Sequence, residues 1–428
     1  MKVKIIQILS PWIIGSIISL SGLISLIIPS KFYSHYLKEK NYMYLDGDVA
    51  LYVIICTICF CLASALTSQV SDKIVSERAM NLKKIGFFSD INQLFIFLVS
   101  FLLIIYQILV INSQIPLYSL VASLSSGSGG LARQRITEAI SSGKVGWISI
   151  FGALSLNWLL YAYTKSPSRF KKTLLFLMLL VFILSCIISI SRDTIISSLI
   201  MLGVVYGGIM LKSKKINIVS LIKNGSIGLF AFLILFTGFD YVRNGGKSNL
   251  NSSITQVLGY FPASYNRLAA IIEGDLIYPN SNWGYYTTQF LWDTPVVNVI
   301  SQNILDIPQN NLPVNSYQNW TRQFIAVDNA KLNSKYIWST VFGFAYSDYR
   351  QASIVFFIIY GILAGLAYSG FKNESILSII FYPLVVASIF KWWSIITISQ
   401  RSTVVVLLVL LVIQFSSFLS YIQRGKNL

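Results

Sequence analysis

The chain has 428 residues, of which 55% are hydrophobic and only 11% charged, where a soluble domain carries about 25% charged residues. No single soluble core hides that much apolar surface, so the composition excludes a soluble globular enzyme and indicates an all-α polytopic membrane protein. The net charge of +17 arises from 33 Lys and Arg against 16 Asp and Glu, an excess that cytoplasmic loops of membrane proteins produce by themselves, so no nucleic-acid partner is expected.

About ten apolar runs of membrane-spanning length follow one another, at roughly 6–28, 49–67, 91–111, 146–163, 173–190, 194–211, 224–240, 351–369, 376–393 and 403–421. The first follows Lys2 and Lys4 and lacks a small-residue cleavage site after Ile28-Pro29-Ser30-Lys31, so it reads as an uncleaved anchor. His35, the one histidine, sits among Lys31, Lys38 and Lys40 in the next loop and reads as a surface residue. A lone histidine supports neither a His-based metal site nor a Ser-His-Asp triad. Asp46-Gly47-Asp48 closes that loop as a turn before a helix. Cys56, Cys59, Cys61 and Cys186 all lie inside apolar runs, with no second Cys pair and no neighbouring histidine, and read as packing residues; no metal or cofactor is expected.

Basic loops alternate with less basic ones. The segments 68–90 (Lys73, Arg78, Lys83, Lys84), 164–172 (Lys165, Arg169, Lys171, Lys172) and 212–223 (Lys212, Lys214, Lys215, Lys223), with Lys2, Lys4, Lys372, Arg424 and Lys426, place both termini in the cytoplasm. On the opposite side, the loop 112–145 carries the Gly/Ser run from Ser125 to Gly130. An amphipathic helix with Arg133 and Arg135 follows, suited to phosphate or acidic sugar, or to anionic lipid at the membrane surface. Ser191-Arg192-Asp193 separates two apolar runs by three residues. A charged pair at that depth marks either a functional cation at the bundle mouth or a local Arg–Asp pair in a tight hairpin.

Between the seventh and eighth runs lies a polar insert, residues 241–348, which divides the chain into an N-terminal bundle (1–240), a cap (241–348) and three C-terminal helices (349–428). Tyr260, Phe261, Tyr265, Trp283, Tyr285, Tyr286, Trp292, Trp320 and Trp338 make it too aromatic for a disordered linker. Long inserts of this kind are functional when ordered, so the site is expected where cap and bundle meet. The segments Tyr278-Pro279-Asn280 and Ile307-Pro308-Gln309-Asn310-Asn311-Leu312-Pro313 predict turns between short helices. Arg243, Arg267 and Arg322 lie beside aromatic residues, and the many Asn amides suit sugar hydroxyls. Asp348, next to Tyr349-Arg350, stands at a helix entry, where a carboxylate serves as an N-terminal cap or as a base. Lys391-Trp392-Trp393 read as interfacial anchors, and Arg401 as the functional cation that opens the last helix. Arg133, Arg135, Arg192, Arg243, Arg267, Arg322, Arg350 and Arg401 all fall outside the cytoplasm on this reading, the remaining arginines being Arg78, Arg169 and Arg424.

The layout resembles the Wzy-type O-antigen or oligosaccharide repeat-unit polymerases. The resemblance is carried by Ala132-Arg133-Gln134-Arg135, the Ser191-Arg192-Asp193 hairpin, the long cap, and the segment Asn333 to Thr340 with Asp348 before a helix holding Gly361 and Gly365. The family's Arg-x10-Gly spacing is matched by Arg135 with Gly146 and by Arg350 with Gly361, while Asp348-Tyr349-Arg350 departs from the commoner Asp-Phe-Gly form. The resemblance implies a GT-C-like bundle of about ten helices in a bacterial cytoplasmic membrane, and an inverting glycosyltransferase. It would lengthen a glycan on undecaprenyl pyrophosphate without metal or nucleotide sugar. Its implied partners are that lipid-linked oligosaccharide, membrane lipid and a chain-length-regulating co-polymerase. Catalytic roles would fall to Arg192, Arg135 and Asp348, and substrate binding to Arg133, Arg243, Arg267, Arg322 and Arg401. Some GT-C enzymes keep an acidic base in the first outer loop, the position of Asp46 and Asp48. Two rivals share parts of the pattern: an O-antigen ligase, which uses a histidine that this cap lacks, and a flippase or transporter, which usually lacks such a cap.

Overall fold

The computed structural model describes residues 2–39, 46–77, 89–126, 129–142, 145–189, 192–212, 214–217, 250–293, 313–314, 316–400 and 403–409, with 219, 223, 234, 237 and 238. In chain order the helices are α1 Ile5–Ile8, α2 Pro11–Leu23, α3 Ser30–His35, α4 Gly47–Glu77, α5 Asp90–Gln114, α6 Leu117–Ser125, α7 Gly129–Ser142, α8 Trp147–Lys165, α9 Arg169–Ile188 and α10 Arg192–Val205. Farther along the chain come α11 Leu250–Glu273, α12 Gln289–Trp292, α13 Ser316–Asn329, α14 Thr340–Tyr349, α15 Ser353–Lys372 and α16 Ile376–Phe390.

Among the described residues five stretches are long and apolar enough to cross a membrane: Gly47–Asp72, Asp90–Gln114, Arg169–Ile188, Asp193–Met210 and Thr340–Lys372. Their outer faces carry large exposed side chains, such as Leu51, Ile58, Leu62 and Leu66 on α4 and Phe95, Leu98, Leu102 and Leu109 on α5. Water would not tolerate such surfaces, and lipid does. These features mark a multi-pass membrane protein. The expected run at 224–240 and most of that at 403–421 lie outside the described residues.

The first run is shorter than its hydropathy suggests, because Pro11 has no N–H to continue a helix and instead starts one at its first position. The residues before it form a strand, Lys2–Lys4 (β1), paired antiparallel with Lys215–Asn217 (β2). This ribbon lies on the face where the basic loops meet. There Lys165 pairs with Glu374, which also lies 3.8 Å from Lys212, and Lys372 pairs with Asp72.

α15 packs along α4, and its glycines set the approach. A side chain at Gly361 would lie 2.6 Å from the Phe60 carbonyl oxygen, and one at Gly365 would strike the Ser64 carbonyl. Small residues four apart let two membrane helices touch backbone to backbone. Gly361 therefore has a packing reason that is independent of the Arg350 spacing.

Cap and bundle share one core. α11 packs against α14; its Ala263, Leu268, Ala269 and Ala270 are buried, as are the cap aromatics Tyr265, Tyr278 and Tyr285. α11 has 24 residues, longer than the short helices expected of the cap. α7 forms as expected, and packs Ala132 and Ile136 on Ile111, Ile115 and Leu120 in a small separate core.

Candidate functional site

A cavity of about 250 Å³ opens where α12, α13 and α14 meet the segment between α16 and the last helix. Its wall contains the aromatic residues Tyr286, Trp320, Trp338 and Phe344, the amides Gln289, Asn319, Gln323 and Gln400, and Ser399. Each wall has a local cause.

The turn bearing Tyr286 follows Tyr278-Pro279-Asn280-Ser281-Asn282-Trp283-Gly284. Asn280, Asn282 and Gly284 take φ of 62°, 69° and 64°, the left-handed region that Asn and Gly tolerate best. The Asn280 amide then pairs reciprocally with the Val314 backbone, donating to its carbonyl and accepting from its N–H at 2.9 Å each, which fixes the approach to α13.

Asp348 holds this turn from below. Its carboxylate accepts from the Thr287 N–H at 2.8 Å, the Thr287 hydroxyl at 2.9 Å and the Tyr286 N–H at 3.3 Å. Asp348 sits at the end of α14, and the chain reverses at Arg350 (φ 55°) before α15 begins, with Ala352 at its N-cap. The expected cap on the following helix is thus replaced by a cap on a distant turn. Asp348 is 4% exposed and contacts the backbone behind Tyr286, so it positions the cavity wall. Burial with Tyr278 and Asp348 close by raises the Tyr286 hydroxyl well above the usual phenol range. That hydroxyl stays protonated, with the Pro279 carbonyl and, at 3.1 Å, Asn319 Oδ1 as its acceptors.

The remaining wall is the segment 391–400. Trp392 is fully buried, and its ring meets Phe60 at 4.7 Å and Phe342 at 5.8 Å. Lys391 is also buried and reaches Asp193 Oδ2 at 2.7 Å. The two were expected as interfacial anchors; the segment instead folds back into the bundle mouth and draws them inside. The Val341 N–H donates to the Trp392 carbonyl at 2.8 Å, and the Ser399 hydroxyl donates to the Tyr286 carbonyl. The start of α10, where Arg192 precedes Asp193, is thereby tied to the segment that lines the cavity. Asp193 pairs with Lys391, a contact the local Arg–Asp hairpin did not anticipate.

Arg267 has a different fate from the one expected. Its guanidinium and Glu39 are both fully buried, with Nη1 at 2.9 Å from Glu39 Oε1. It also donates to the Ala263 carbonyl at 2.8 Å and the Asn333 carbonyl at 2.7 Å. Glu39 Oε2 in turn accepts from the Asn333 N–H at 2.7 Å. Arg267 therefore clamps the first outer loop to the cap instead of facing a ligand. A buried cation needs such pairing, whereas a ligand site needs an open one.

Arg135 on α7 and Arg322 on α13 are exposed and do not line the cavity. Arg350 places its guanidinium 5.8 Å from the Tyr346 ring centre. Arg243 and Arg401 lie outside the described residues, as do the side chains of Arg133 and Arg192. Asp46 accepts from the Val49 N–H at 3.0 Å, the turn before α4 that the sequence indicates, and His35 is exposed. Gln289, Gln323 and Ser399 were missed, because a single amide or hydroxyl on a short helix carries no signal of its own. Asn319 and Gln323, four apart on α13, share a helix face, which is the one pattern that pointed inward. Comparison with family models, curated proteins and solved structures finds no match to this chain.

Proposed function

We propose that the protein is a membrane glycosyltransferase that joins lipid-linked oligosaccharide repeat units into a surface polysaccharide at the outer face of the bacterial cytoplasmic membrane. The observation that carries this reading is the cavity between cap and bundle, walled by indole rings and neutral amides. Indole faces stack on the C–H side of a sugar ring, and amides both donate to and accept from its hydroxyls. Its volume of about 250 Å³ is below the ~300–1,000 Å³ of drug-sized sites and suits one sugar ring at a time.

In this reading the acceptor hydroxyl oxygen attacks the anomeric carbon of the lipid-linked glycan. The bond from that carbon to the diphosphate oxygen breaks, its electron pair leaves on the diphosphate, and the hydroxyl proton is taken up in turn by the departing diphosphate. Arg192, beside the Asp193–Lys391 contact, and Arg401, which follows Gln400, are the cations assigned to the leaving diphosphate. Asp348 supports the wall, and the basic loops face the cytoplasm. The lipid-linked glycan and the surrounding lipid are the partners this chemistry requires, with a chain-length-regulating co-polymerase as a further one.

Purified protein in nanodiscs, supplied only with a lipid-linked repeat unit, tests the reading. Polymer growth supports it. Transfer to a different lipid acceptor alone would indicate a ligase, and translocation without growth a flippase. In cells, Arg192→Ala is expected to leave surface glycan at one repeat unit with the protein still in the membrane. A normal ladder would remove Arg192 from the site.

A further inference from the structure

Resting on that glycan reading, we propose that the Lys391 ammonium is a phosphate-binding cation beside the cavity, and that Asp193 is an exchangeable counter-ion displaced by the diphosphate of a lipid-linked ligand. Lys391 Nζ lies 2.7 Å from Asp193 Oδ2, yet the lysine side chain is 7% exposed and the aspartate 68%. A buried ammonium has to keep an anion close, because an unpaired charge away from water is costly. An exposed carboxylate is already largely hydrated and gives up the contact at little cost. The lysine is thus fixed and its anion is replaceable. The Glu39–Arg267 pair is the opposite case: both side chains are fully buried, so neither partner has solvent to move into. Lys171 is also buried beside an exposed aspartate, Asp90 at 3.5 Å, but the Ser166 carbonyl and hydroxyl hold its ammonium as well.

The place of the lysine suits a ligand that carries sugar and phosphate together. The Ile395 N–H donates to the Lys391 carbonyl at 3.2 Å, so Lys391 stands one turn before Ile395 and Ile396, which line the cavity. The Ser394 N–H and hydroxyl donate to the same carbonyl at 2.8 Å and 3.0 Å and fix that turn. Two residues on from Lys391, the Trp393 ring packs edge-on against Trp338 of the cavity wall at 5.7 Å. A glycan on a lipid carrier bears its diphosphate directly on its first sugar, so a cation one turn from the sugar cavity is placed for that group. A phosphate oxygen accepts the same N–H bond that Asp193 Oδ2 accepts, and the ammonium serves it as a compact point charge. The chemistry recognised is a phosphate group, which a lipid diphosphate, a phospholipid head group and inorganic diphosphate all carry.

The test follows the melting temperature of the full-length protein in phosphatidylcholine nanodiscs, titrated with farnesyl diphosphate, farnesol or inorganic diphosphate, with phosphatidylglycerol in the bilayer as a fourth arm. A ligand that binds the folded state raises the melting temperature. Farnesyl diphosphate is expected to raise it in the wild type, and the other three arms are not. Asp193→Asn, which removes the competing carboxylate, should melt lower than the wild type and bind farnesyl diphosphate about tenfold more tightly. Lys391→Met should bind it at least about tenfold more weakly. An equal rise with phosphatidylglycerol or with inorganic diphosphate would overturn the lipid-diphosphate assignment, in favour of a head-group site or a free-anion site respectively. Weaker or unchanged binding in Asp193→Asn would overturn the exchange and make the pair a structural tie. If that protein still extends lipid-linked units, the glycan reading stands. The expected binding pattern without any chain growth would overturn the glycan reading and leave the phosphate site in place.

Discussion

The clamp formed by Glu39, Arg267 and Asn333 and the cavity lined by Gln289, Asn319, Gln323 and Gln400 are both polar clusters where the cap meets the rest of the protein. They differ in how their polar groups end. In the clamp, two full charges face each other at 2.9 Å and surrounding carbonyl and N–H groups add further bonds, while the buried Arg267 Nε has no partner among the described residues. In the cavity, the groups are neutral, face an open volume and are only partly engaged with one another. A buried charge is costly unless paired, so the fold uses the arginine to fasten elements together. Neutral amides tolerate an empty site, and so can wait for a ligand.

The largest effect that separates the two regions is expected at the clamp. Arg267→Ala leaves Glu39 buried and unpaired, a loss of about 3–5 kcal/mol of stability, seen as a lower melting temperature of purified protein. Adding Glu39→Ala should restore part of it. Normal melting with lost chain growth would instead make Arg267 a ligand residue. Asp348→Asn comes next, because an NH₂ group would then oppose one of the N–H or O–H donors of Tyr286 and Thr287. About 1–3 kcal/mol of stability should go, with a higher KM for the lipid-linked acceptor. Trp320→Ala should leave melting almost unchanged and lower chain growth about tenfold, equivalent to ~1.4 kcal/mol of binding. Arg322→Ala should be smallest, with less than a twofold change in growth rate, as for most exposed side chains. A large loss there would return the site to its arginines.

Much of the frame was legible in the chain. Apolar length marked the spanning helices, turn chemistry marked residues 278–280, and amphipathic spacing marked α7. The junction of cap and bundle was legible too, because a long aromatic insert has to dock on something. The chemistry of that junction was harder to read. Arginine count drew attention to guanidinium groups, yet the partner that commits Arg267 lies 228 residues away in sequence, and the one for Lys391 lies 198 away. Such pairings depend on tertiary contact alone. Gln289 and Ser399 were invisible for the converse reason, since an isolated neutral side chain looks the same on a solvated face and in a cavity wall. The first span was overestimated because hydropathy counts Pro11 as compatible with the run, whereas hydrogen bonding does not.

Chain growth from lipid-linked repeat units by the purified protein, compared between wild type and a Trp320→Ala, Gln323→Leu double variant of unchanged melting temperature, tests the central claim most directly. The cavity at the cap–bundle junction predicts a polymer ladder from the wild type and mostly single units from the variant. Matching ladders from both would contradict it.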